Sequence, residues 1–222
     1  MAGFHAVITG ASRGIGRSLA GRMVTEGPVL GTCRSTPPDL PGVTWATVEL
    51  ADPTSITAFA AGLEGAPIEH LVCNAGIYPD KGQRLEGGYP PEMWAESFAV
   101  NVTAAFLTVQ ALLPNLRKAE APRIALISSQ MASDTRAPGG SYIYRASKAA
   151  LLNLGRNLAT DLKPEGIAVG IYHPGWVQTD MGGSAAEITV DEAAEGLAAR
   201  IAELSPATTG QFLTWDGRPH AF

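Results

Sequence analysis

The chain is short of cysteine, of charge and of aromatic side chains, and each shortage narrows what it can be. Two cysteines, Cys33 and Cys73, in 222 residues cannot build a disulfide framework. Both stand in apolar, β-rich runs, where an unpaired thiol behaves as a small buried hydrophobe. A reduced, cytoplasmic chain is the expectation. Charged residues make up 17% of the chain and sum to −5, without the basic excess that a nucleic-acid or anionic-membrane surface shows. Neither partner is expected. No uninterrupted apolar run reads as long enough to cross a bilayer. Apolar patterning starts by Phe4 and Ala6 with no basic leader, so no signal peptide is expected either. The four histidines, His5, His70, His173 and His220, are dispersed and make no ligand spacing, so no metal is expected.

What is present is an apolar fraction of 45%, laid out as short runs that alternate with helical patterns. The runs fall at 5–10, 29–34, 43–50, 70–76, 123–129, 167–175 and 210–217. Helical periodicity falls at 14–26, around 53–63, within 91–118, within 142–162 and near 190–204. Near-continuous apolar strands suit burial on both faces, and the strand and helix alternation predicts an α/β fold with a parallel sheet. The expected architecture is a single doubly wound domain over 1–222, with a seven-stranded parallel sheet and helices on both faces. Two segments rich in proline and glycine, 35–42 and 78–91, read as surface loops.

"TGASRGIG", Thr9 to Gly16, closes the first strand and opens the first helix. Gly10, Gly14 and Gly16 permit a tight turn and close backbone approach, and the following helix N-terminus offers unpaired N–H groups to a pyrophosphate. This is the phosphate loop of a Rossmann-type dinucleotide fold. The second strand ends in "GTCRSTPP", with Arg34 and no carboxylate before Asp39. An acidic residue there would favour NAD, whereas arginine accommodates a 2′-phosphate. NADP(H) is therefore expected in preference to NAD(H), with Arg34 and Arg13 as phosphate ligands. The same loop contains G-x-S-x-G, the nucleophile elbow of hydrolases, which would make Ser12 a nucleophile with His220 or His173 as base. A hydrolase oxyanion hole draws on an earlier strand's loop, and none precedes the first strand here, so this is the lesser reading.

In "SYIYRASKAA" (141–150), Tyr144 and Lys148 are one helical turn apart, while Tyr142 meets Ala146 at that spacing. An ammonium beside a phenol is expected to lower the phenol's pKa toward neutrality, giving an acid/base for interconverting a carbonyl and an alcohol.

"TGASRGIG", "CNAGIY" (73–78), "FAVNVTAAF" (98–106), "ALISS" (125–129), "YRASK" (144–148) and "HPGWVQTDM" (173–181) together resemble the short-chain dehydrogenase/reductase family along essentially the whole chain. The look is nearest to its small carbonyl reductases and C-factor-like proteins. The resemblance implies that Gly10, Ser12, Arg13, Ile15 and Gly16 line a pyrophosphate with Gly14 supporting the turn, and that Asp52 lies near the adenine. It implies that Asn74, Ala75 and Gly76 flank the cofactor ribose, and that Pro174, Gly175, Val177 and Thr179 fix the carboxamide. It further implies a catalytic set: Ser129 polarising the substrate carbonyl, Tyr144 as acid/base, Lys148 also gripping the ribose, and Asn101 anchoring a proton-relay water. Ser129 precedes Tyr144 by 15 positions, two more than is usual in the family, so 129–140 is expected to bulge toward the site. Ser128 and Ser133 stand as substitutes for Ser129, with Ser128 preferred as a buried sheet hydroxyl. The implied function is reversible hydride transfer between NADPH and a small ketone or aldehyde. The alternative is a cofactor-binding signalling or regulatory protein. Apolar residues beyond one face of the helices at 91–118 and 142–162 suit a homodimer or homotetramer.

Overall fold

The computed structural model describes residues 3–222. Seven strands form one parallel sheet: β1 (Phe4–Ile8), β2 (Val29–Cys33), β3 (Val43–Thr47), β4 (Ile68–Cys73), β5 (Arg123–Ile127), β6 (Ala168–His173) and β7 (Phe212–Thr214). Their order is β3-β2-β1-β4-β5-β6-β7 and every neighbouring pair is parallel. The chain winds outward from β1 in one direction and from β4 in the other, so the topological switch lies between those two strands. A crevice opens there at the carboxyl ends of the strands. This is the doubly wound Rossmann-type fold that the pattern predicts.

The helices are α1 (Gly14–Met23), α2 (Pro53–Gly62), α3 (Pro91–Phe98), α4 (Ala104–Leu116), α5 (Tyr142–Leu162) and α6 (Val190–Glu203). On one face Leu19, Ala20 and Met23 of α1 and Ala194, Leu197 and Ile201 of α6 pack on Ala6, Ile8, Val72 and Ala125. On the other, Ile56 and Phe59 of α2, Leu112 and Leu116 of α4 and Leu151 of α5 pack on Val7, Leu71, Ile124 and Val169. All residues of β2 and of β6 are buried, which is why those strands read as unbroken apolar runs. Local chemistry fixes the helix starts: Asp52 accepts from Thr54 N ahead of Pro53, and Thr189 and Glu192 form a reciprocal capping box on α6.

Two expectations change. The single helix within 91–118 is three pieces, because Ala99–Thr103 forms a π-turn between α3 and α4. Taken together, Pro91–Leu116 is 26 residues with an apolar window of mean hydropathy 1.4, so a span long and apolar enough to cross a bilayer by length and composition does exist. In this structure that span packs on α2, α5 and the sheet.

Candidate active site

A cavity of about 650 Å³ occupies the crevice at the switch point, walled by the glycine loop, by Arg34 and Ser35 after β2, by Leu50 and Ala51 after β3, by Asn74 to Ile77 after β4 and by Gln178 to Met181 after β6. Gly10, at φ +65°, leaves no room for a side chain: a Cβ there would lie 2.9 Å from the Cα of Ala75. On Gly16 it would lie 2.4 Å from Asn74 Nδ2. That amide donates to the Thr9 and Gly10 carbonyls, both at 3.1 Å, while Thr9 Oγ1 accepts from the backbone N–H groups of Asn74 and Ala75. Asn74 thus braces the turn from below and leaves the upper side to a ligand. Pinched glycines, a helix N-terminus and two arginines fit a phosphorylated dinucleotide.

The expected cofactor residues Gly10, Ser12, Arg13, Gly14, Ile15, Gly16, Arg34, Asn74, Ala75, Gly76 and Thr179 all line this cavity. Asp52 does not. Its carboxylate is spent on capping α2, accepting from Thr54 N at 2.8 Å, and Leu50 and Ala51 form the wall beside it. Arg13 is on the cavity but pairs with Asp180 at 2.8 Å, both side chains largely exposed. Pro174, Gly175 and Val177 shape the segment that carries Thr179: Val177 is buried and bridges Ile188, and Gly175 holds φ +91°.

Asn101, Ser129, Tyr144 and Lys148 are all buried, and none of them lines this cavity, although Tyr144 and Lys148 are among the expected cofactor residues. A Cβ on Gly76 would lie 3.3 Å from both Asn101 Oδ1 and Lys148 Nζ, which ties those two to the cavity wall. Ser129 ends the β5 loop and its Oγ accepts from Met131 N. Ser128 Oγ instead donates to the Lys148 carbonyl, and Ser133 Oγ reaches Thr135 and the Phe222 carbonyl. The two substitutes are therefore engaged elsewhere. Residues 134–139 are exposed and none lines the nucleotide cavity.

Burial overrides the expected pairing of Tyr144 with Lys148. It pushes the phenol up to about 12, while hydrogen bonding by Ser129 pulls the other way. It also lowers the Lys148 ammonium to about 8. Nζ donates to the Ile127 carbonyl at 2.9 Å and stands 5.8 Å from the Tyr144 ring centroid. The helical spacing is right, but the ammonium points at the strand rather than at the phenol's oxygen.

Asn101 sits on the π-turn, where the extra residue turns its side chain inward. Its amide accepts from Ile77 N and donates to Ile77 O and to Ser147 Oγ, at 2.8, 2.9 and 2.9 Å. It anchors the wall between Gly76 and the helix that carries Tyr144.

Sequence reasoning missed Tyr78 and Asp80. The loop from 78 was expected on the surface, yet Asp80 is fully buried. Its carboxylate accepts from the backbone N–H groups of Ile143 at 2.8 Å and of Tyr144 itself at 3.3 Å. Ser141, the residue before α5, is left-handed and its side chain makes no cap, so Asp80 caps the helix from 63 positions upstream. Tyr78 stacks on Tyr144 with centroids 4.2 Å apart. Aspartate in a proline-glycine loop carries no signal of either contact.

The hydrolase reading loses its base. His173 ends β6, three strands from β1, or about 14 Å at the usual interstrand spacing. It faces His220, not Ser12.

The sequence profile of the short chain dehydrogenases matches residues 4–189. The C-signal protein of Myxococcus xanthus is 36% identical over 161 residues, 72% of this chain and 96% of that protein. A 1-hydroxy-2-glutathionyl-2-methyl-3-butene dehydrogenase of a Rhodococcus species is 30% identical, covering 95% of this chain and 96% of its own. The NADPH-bound carbonyl reductase from chicken fatty liver superposes with a TM-score of 0.89, at 32% identity and full coverage of both chains.

Proposed function

The chain belongs to the short-chain dehydrogenase family of oxidoreductases, and on that premise we propose that it is an NADPH-dependent carbonyl reductase acting on small ketones and aldehydes. The observation that carries this is that Lys148 Nζ stands against Gly76, on the wall of a cavity that Arg34 also walls, with the Tyr144 ring 5.8 Å from Nζ and its phenol hydrogen-bonded by Ser129. The NADPH and NADP of several structural neighbours support the cofactor. NADPH supplies the hydride. Ser129 holds the carbonyl oxygen, and Tyr144, protonated throughout the neutral range, donates the proton as alkoxide charge develops. Lys148 holds the ribose, and Asn101 fixes the wall against which the reactants stack.

The test is carbonyl-dependent consumption of NADPH and NADH by the wild type and by Tyr144→Phe, over a panel of aldehydes and ketones. Wild type is expected to favour NADPH, and the variant to lose at least about 10²-fold in kcat while binding NADPH unchanged. Retained turnover in the variant would overturn the mechanism. The likeness to C-signal supports a second reading, a signalling role; a wild type that binds NADPH and reduces nothing on the panel would favour it.

A further inference from the structure

We propose that His5, Glu69 and His70 form a binding site for a divalent transition-metal ion of the zinc class, at the end of the sheet opposite the nucleotide cavity. The inference is independent of the reductase reading. One ligand atom from each of the three residues lies within 4.8 Å of the others. Two imidazoles and a carboxylate, with a position left for water, are a donor set that suits zinc.

The backbone gathers these residues in an unusual way. Strict alternation would put His5 and His70 on opposite faces, because Ala6 is the residue in register with His70. Both strands break alternation at the same level. Phe4 and Val7, three apart, pack into one core, and so do Ile68 and Leu71. The N–H groups of His5 and Ala6 both point to the Pro28 carbonyl, at 2.8 and 3.3 Å, the mark of an extra residue in β1. Bulges are uncommon in parallel sheets and re-aim side chains where they occur. Here two adjacent irregularities bring the imidazoles edge to face at 4.6 Å.

The second observation is unmet polarity. His70 is 4% exposed and its Nδ1 has no hydrogen-bond partner. His5 Nε2 is also buried without one, 3.4 Å from Glu26 Oε2, while His5 Nδ1 lies 2.8 Å from Glu69 Oε2. Buried polar nitrogens without partners are rare and call for an explanation such as an ion. A metal held by His5 Nδ1, Glu69 and His70 Nδ1 satisfies the orphaned His70 nitrogen, and the Glu26 carboxylate, 3.4 Å from His5 Nε2, takes that second ring nitrogen, as outer carboxylates do for ligating histidines. Zinc bonds of about 2.0–2.1 Å require the donors to stand closer than the widest pair does now. Glu69, with a side chain 56% exposed, has the freedom to make that adjustment. Arg123 is in register with His70, and its guanidinium, with Nε directed to the Leu204 carbonyl at 2.7 Å, is a positive charge that an ion there must offset with the Glu69 and Glu26 carboxylates. The ion would tie β1, β4 and the α1–β2 turn together about 17 Å from the glycine loop, at strand rise.

Untagged full-length protein stripped with EDTA and titrated with zinc sulfate tests this by calorimetry and thermal melting. One equivalent is expected to bind, raising Tm by about 5–10 °C at a hundredfold excess over Kd, with cobalt in its place giving the visible bands of a four-coordinate site. Glu69→Gln and His70→Asn are expected to weaken binding at least about tenfold, with Glu69→Gln leaving Tm without zinc and NADPH-dependent turnover unchanged. No binding by the wild type, or binding indifferent to Glu69→Gln, overturns the proposal. Binding lost only with His220→Asn also overturns it, because it moves the ion to the His173 and His220 pair.

Discussion

Tyr144 and Lys148 are both buried, and burial acts on them in opposite directions, raising the phenol to about 12 and lowering the ammonium to about 8. Reduction needs the phenol protonated and the lysine charged. Its kcat/KM is therefore expected to be flat below about pH 7 and to fall through about pH 8 as Lys148 loses its proton, while alcohol oxidation climbs into the alkaline range as phenolate becomes accessible. A profile that breaks near pH 6 would contradict this. The same Lys148 shift makes a stability statement. Between about 8 and its ordinary 10.5 the unfolded chain binds the proton that the folded chain has released, so stability rises with pH across that window as far as this residue decides it.

At the scale of elements, the N-terminus of α5 is held by a carboxylate from another loop. Asp80→Ala leaves the Ile143 and Tyr144 N–H groups buried and unpaired, at a cost of about 1–3 kcal/mol, and is expected to lower Tm and kcat while sparing the KM for NADPH. Asp80→Asn keeps an acceptor but removes a negative charge that helps raise the Tyr144 phenol. It is expected to retain the fold and shift the alkaline limb of the oxidation profile to lower pH. If the two variants behave alike, the retained acceptor contributes nothing and the capping role of Asp80 is refuted. The strands and the glycine loop were legible because their signals are local: β2 and β6 are apolar throughout, and Gly10 and Gly16 sit where a Cβ would collide. The π-turn was not legible, since Ala99–Thr103 contains neither glycine nor proline. Nor was the Asp80 cap, a contact across 63 positions. The histidines misled in the same way: scattered in sequence, they meet in pairs, His5 with His70 and His173 with His220.

Across the whole molecule, only 33% of the most apolar window of Pro91–Leu116 is buried, and Phe106 is 38% exposed. We infer that this apolar surface is an association face. Light scattering is expected to report a homodimer or homotetramer, and Phe106→Glu a smaller species; a monomeric wild type at micromolar concentration would refute the inference. The Arg13–Asp180 pair ties the glycine loop to the segment after β6 across the cavity mouth. The protein thus keeps a tethered anion in the guanidinium's grip, and an arriving nucleotide phosphate evicts a tenant instead of filling a vacancy. Since an exposed pair of this kind is worth about 0–1 kcal/mol, eviction is easy, but the exchange releases fewer bulk counterions than two free arginines would. NADPH affinity is accordingly expected to decline with ionic strength at nearer one charge's slope than two, with Arg34 setting it.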